Sequence, residues 1–129
     1  MNQRQSKTYN TAVGLCDALT GVLLMLNPKF VLSLLQINNL DSTDIYLRYV
    51  GVFVFGTGLT YFLPLFAKDY LSFNKYVWIQ TALIRLLVAC FVILQVCLTN
   101  LVPAWLIVAT TDASIGLLQV YFLFRDKNK

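Results

Sequence analysis

The sequence predicts an all-α integral membrane protein, a bundle of four transmembrane helices with a short interfacial amphipathic helix after the first. Three observations lead there. Of the 129 residues, 58% are hydrophobic and 12% are charged, about half the charged share of a soluble domain. The apolar residues gather into four runs, each near the twenty or so residues needed to cross a bilayer core. The basic residues stand mostly at the edges of those runs, where membrane topology places them. A soluble chain this small would need more polar surface to cover its core. Lipid is therefore the expected solvent, and residues 1–129 read as a single domain.

The first span is read over 10–26. A polar, basic start with Arg4 and Lys7 precedes it, and Asn27-Pro28 closes it. No small-residue cleavage site follows and Asp17 is foreign to a signal core, so the segment reads as a retained helix. After Pro28, the polar Lys29, Ser33 and Gln36 recur at helical spacing opposite Phe30, Val31, Leu34 and Leu35. A short amphipathic helix lying in the interface is expected there. A polar turn follows, in which Asp41, Ser42 or Thr43 is the candidate cap of the next helix.

The second span is read over 45–66. Gly51, Gly56 and Gly58 thin it, and Pro64 lies near its end; small residues let helices approach closely in lipid. The loop to the third span carries Lys68, Asp69 and Lys75 among aromatic residues. The third and fourth spans, 77–98 and 104–124, are separated by a link so short that they must form an antiparallel hairpin. Trp78 and Trp105 sit at span starts, where interfacial anchoring is expected.

Topology follows from the cations. Four spans put both ends and the middle loop on one side, with Arg4, Lys7, Lys68, Lys75, Arg125, Lys127 and Lys129. The other side holds Lys29, with Arg48 near the start of the second span. This asymmetry predicts a multi-pass protein of the cell inner membrane with both termini cytoplasmic. The net charge of +4 is not gathered on an amphipathic element, so nucleic acid is not an expected partner. Cys16, Cys90 and Cys97 lie inside apolar runs and read as small hydrophobes. With no histidine in the chain, the usual zinc and haem ligand sets are missing and no metal site is expected.

Three ionisable residues fall well inside spans: Asp17, Arg85 and Asp112. At about 1.5 Å per helical residue, Asp17 lies roughly 10–12 Å and Arg85 roughly 13 Å from the cytoplasmic boundary. Asp112 lies roughly 18 Å from it in a core of ~30 Å. All three share one central band. Gly14 and Gly21 accompany Asp17, and Ala109, Ala113 and Gly116 accompany Asp112, stripes that suit close helix contacts. Arg85 is therefore expected to face the bundle interior between the two carboxylates. An unpaired charge at the bilayer centre costs ~2.5–3.5 kcal/mol on insertion scales, so three need compensation or a use. They form either a salt-bridge cluster that holds helix register or a polar site for a ligand, ion or proton. Two acids against one arginine leave one formal negative charge for a proton or another cation to neutralise. Arg48, Tyr61 and Gln95 are the candidate cavity-lining residues, with snorkelling to the interface as the plain reading of Arg48.

The size, the first span closed by Pro28, the run LRYVGVFVFGTGL opening the second span, Arg85 in the third and Asp112 in the fourth resemble the small bacterial DoxX-like four-helix membrane proteins. Over nearly the whole chain, that resemblance implies a membrane four-helix bundle. For some members it implies a link to quinone-dependent oxidation, though no motif carries a quinone site onto particular residues here. Small multidrug transporters are similar in size, span count and an acid in span one, here Asp17. Their acid is typically Glu, and Arg85 would repel a cationic drug.

The leading functional expectation is a non-enzymatic bundle binding a membrane lipid, a quinone or a partner membrane protein, with room for a homodimer. The alternative is a small proton- or cation-coupled transporter using its intramembrane carboxylates. No catalytic residue is assigned: the six acids are all aspartate, and no serine or cysteine has an evident activating base, so an enzyme ranks lowest.

Overall fold

A computed structural model describes residues 2–37, 44–99 and 101–127, and each regular element among them is helical. The expected cap at 41–43 and the terminal Lys129 lie outside the described residues.

Helix α1 spans Gln3–Leu26. It begins ahead of the predicted span because hydropathy marks where a helix becomes apolar, not where it starts. Gln, Arg and Lys are good helix formers, and the Asn2 N–H donates to Gln5 Oε1 at 3.2 Å, tying off a free backbone donor. Asn27 ends α1, its N–H donating to the Leu23 carbonyl at 2.8 Å. Its side chain also starts α2 (Pro28–Leu34), accepting the Phe30 N–H at 3.2 Å. Pro28 fills the first helical position, where a missing N–H does no harm.

The end of α2 follows from hydrogen-bond bookkeeping. The Ile37 N–H donates to the Leu32 carbonyl at 2.9 Å and the Gln36 N–H to Ser33 at 3.0 Å, with Gln36 at φ 58°. This is a left-handed helix stop, and the apolar contact that accompanies it joins two buried residues, Leu32 and Ile37. The expected short helix thus exists, and Phe30 and Leu34 of its apolar side are turned outward. Pro28 and Leu32 turn inward, while Phe30 and Leu34 are 48% and 65% exposed.

Helix α3, Asp44–Thr60, packs antiparallel on α1 through glycines. Gly14 meets Gly58 and Gly21 meets Gly51, a seven-residue step on both helices. A Cβ on Gly21 would lie 2.4 Å from the Phe55 backbone nitrogen, and one on Gly58 2.5 Å from that of Ala18. Only glycine allows these backbones so close. Helix α3 stops at Thr60 because Pro64 has no N–H for that carbonyl and its ring crowds it. A tight turn at Tyr61 and Phe62 follows, then the one-turn α4, Leu63–Phe66. The predicted second span is therefore a helix broken near its end.

Helix α5 runs over Tyr70–Leu98, 29 residues, so most of the expected loop before the third span is helical. Asp69 starts it, its carboxylate accepting the Ser72 N–H at 3.3 Å. A 3-10 turn, Pro103–Trp105, leads into α6, Leu106–Lys127. The chain divides into two compact units, Met1–Asn74 and Lys75–Lys129. In the second, α5 and α6 form the expected antiparallel hairpin. Trp78 faces Phe122 with ring centroids 6.3 Å apart. Leu86 lies against the notch at Gly116, and Ala89, Val92 and Ala109 form an apolar knot with Trp105 packed beside it. Trp78 is buried, a core residue rather than the expected interfacial anchor.

Four helical stretches, Gln3–Leu26, Ile45–Phe66, Tyr70–Leu98 and Pro103–Arg125, are long and apolar enough to cross a membrane. Their outward faces carry large apolar side chains, among them Leu19, Phe53, Leu87 and Phe91. A soluble monomer rarely shows contiguous apolar surface on this scale.

Candidate functional site

Arg85 and Asp112 meet across the α5–α6 hairpin. Arg85 Nη1 lies 2.5 Å from Asp112 Oδ1, and the two side chains are 6% and 18% exposed. The helices come near enough because small residues fill the seam: Ala109 is fully buried, Ala89 nearly so, and Gly116 admits Leu86. A charge-assisted hydrogen bond of this kind is the strong kind. Further along the seam, Gln119 Nε2 donates to Thr81 Oγ1 at 3.1 Å, and that hydroxyl donates to the Val77 carbonyl at 2.8 Å. Thr81 thereby uses both its donor and an acceptor site. The hairpin is clasped by two polar rungs set between apolar ones.

Asp17 is half-buried on α1, in the first unit. Arg48 is exposed on α3, and its Nη1 donates to the Met25 carbonyl and, at 3.2 Å, to that of Leu26. A cation there satisfies two of the orphan carbonyls at the end of α1. Tyr61 is fully buried at the α3–α4 break. Gln95 is half-buried on α5 and accepts from the Thr99 hydroxyl at 3.3 Å.

Sequence reasoning missed a polar ring in the first unit. Ser6 Oγ lies 3.0 Å from Tyr70 Oη, Asn10 Nδ2 donates to Asn74 Oδ1 at 2.6 Å, and Asn74 Nδ2 donates to Ser6 Oγ at 3.0 Å. Asn10 Nδ2 also reaches Tyr70 Oη at 3.4 Å. All four residues are buried. The ring ties the start of α1 to the start of α5, so both helices begin at the same end of this unit. Its trace in the sequence is the four-residue spacing within Ser6/Asn10 and Tyr70/Asn74, which puts each pair on one helix face.

No protein-family model, curated protein or solved structure matches the chain.

Proposed function

We propose that this chain is a non-enzymatic bundle of the inner membrane, of the DoxX-like kind, that binds a hydrophobic partner: a lipid, a quinone or another membrane protein. The observation that carries this reading is the direction of its side chains. Leu83, Leu87, Phe91, Leu94 and Leu98 of α5 face outward, while Arg85 on the same helix turns to Asp112. Polar side chains on the outer face of α6 bond their own helix: Thr110 and Thr111 donate to the Leu106 and Ile107 carbonyls at 2.8 Å, and Ser114 to Thr110 at 2.7 Å. What this molecule offers its surroundings is mainly apolar surface, which suits a ligand of the bilayer.

The test is isolation from native membranes in a mild detergent, with bound lipid, quinone and crosslinked protein identified by mass spectrometry. A stoichiometric companion is expected. Protein recovered repeatedly with none removes the basis of the reading.

The second reading, a proton- or cation-coupled transporter, draws on the same charges: Asp17 and Asp112 are two acids in apolar helices, and Arg85 is the arginine well inside the spans. In proteoliposomes, Asp17→Asn and Asp112→Asn should each abolish flux. Flux unchanged in both variants eliminates these carboxylates as coupling groups.

A further inference from the structure

The polar ring has cations beside it. Arg4 and Lys7 flank Ser6 on α1, and Lys68 precedes Tyr70; all three are exposed. Lys7 Nζ lies 5.2 Å from the centre of the Tyr70 ring. Ser6 and Tyr70 are 64 positions apart, so the ring gathers charges that the sequence keeps distant. Among the described residues beside them, Asp69 is the acid, and it accepts from the start of α5.

Local chemistry works against this arrangement. The N-termini of α1 and α5, side by side, each carry the positive end of a helix dipole, and neither helix has an acid in its first turn. Cations are unfavourable at such an end. An anion would be favourable there. Two large apolar side chains accompany the cations: Phe66, the end of α4, and Leu71, in the first turn of α5, are 85% and 54% exposed. Cations beside exposed apolar groups match a phosphate headgroup with acyl chains below it.

We propose that this end of the first unit binds the headgroups of anionic phospholipids, with phosphate held by Arg4, Lys7 and Lys68 and the acyl chains lying along Phe66 and Leu71. The proposal rests on the membrane reading above and names a lipid class for it. The buried ring is what assembles the site.

The test uses the full chain in nanodiscs of equal phosphatidylglycerol and phosphatidylcholine. After capture in detergent at low salt, the retained lipids are quantified by mass spectrometry. Wild type should retain phosphatidylglycerol in excess. The triple variant Arg4→Gln, Lys7→Gln, Lys68→Gln should lose that excess, by up to about fivefold per cation, with an unchanged helical circular dichroism spectrum. Half-molar sodium chloride should lower the wild-type excess, since these charges are exposed. Lys29→Gln, on α2, should leave it intact. Equal retention of the two lipids by wild type, an unchanged excess in the triple variant, or an equal fall in Lys29→Gln would each overturn the lipid site while leaving the membrane reading standing. A chain that does not enter nanodiscs overturns both.

Discussion

Arg85 is kept inside an apolar hairpin because Asp112 stands within hydrogen-bonding distance. Removing one partner of a buried pair leaves the other uncompensated, whereas replacing both with apolar groups is often close to neutral. Arg85→Leu should therefore lower stability by about 3 kcal/mol, and Arg85→Leu with Asp112→Leu should recover most of that loss. Reversible unfolding in mixed detergent micelles reads the difference, and a single variant as stable as the parent would show that the pair contributes nothing to the fold. Gln36 makes the opposite case. Its φ of 58° costs an L-residue roughly 1–2 kcal/mol that glycine avoids. Gln36→Gly is expected to raise the thermal midpoint, and a lower midpoint would contradict the left-handed stop at the end of α2.

Between elements, the contact of α1 with α3 depends on the absence of side chains. Two glycines, Gly21 of the first span and Gly56 of the second, respond in opposite directions when a methyl group is added. In Gly21→Ala the new Cβ would collide with the Phe55 backbone, which cannot swing aside, so a loss of about 1–3 kcal/mol is expected for such overpacking. At Gly56 an added Cβ meets nothing within 4 Å. Gly56→Ala should gain about 0.5–1 kcal/mol from helix propensity alone. The two midpoints, measured side by side, should move apart; if they move together, the glycines are not what sets the α1–α3 distance. The ring of Ser6, Asn10, Tyr70 and Asn74 is a different kind of joint. Its polar groups satisfy one another away from water, so it favours one pairing of helix ends over neighbouring registers.

At the scale of the whole molecule, each unit exposes mainly apolar side chains, and polar contacts within each hold helices to each other. Such a surface is stable only where the solvent is also apolar. The ring also bears on topology. It sets the start of α1 beside the start of α5, which needs an even number of crossings between them, and α1 and α3 supply two. With the basic residues at that end, single cysteines in a cysteine-free background should label from the cytoplasmic side at Gln3→Cys and Ser72→Cys. Lys29→Cys should label from the other side. Impermeant thiol reagents on intact and inverted vesicles make the distinction, and opposite labelling of the first two sites would refute a four-span arrangement.

Much of this architecture was legible in the sequence because lipid asks for little more than length and hydropathy. With no water to satisfy the backbone, a spanning segment without closed strands must be helical. Four apolar runs therefore announce four helices, and the short link before Pro103 announces the α5–α6 hairpin. Arg85 was expected between Asp17 and Asp112, since unpaired charges are costly in apolar surroundings, and the hairpin sets it against Asp112. Tertiary structure decided what depends on distant pairs. Helices α1 and α5 begin well before their apolar runs, and Ser6 and Asn10 there find Tyr70 and Asn74 sixty or more positions away. Trp78 is a core residue because Phe122 covers it, and Arg48 closes the end of α1 rather than simply marking an interface. Hydropathy is a property of each segment alone, so it delivered the spans. Hydrogen-bond partners and close contacts belong to pairs of segments, so most of the joints between the spans came only with the fold.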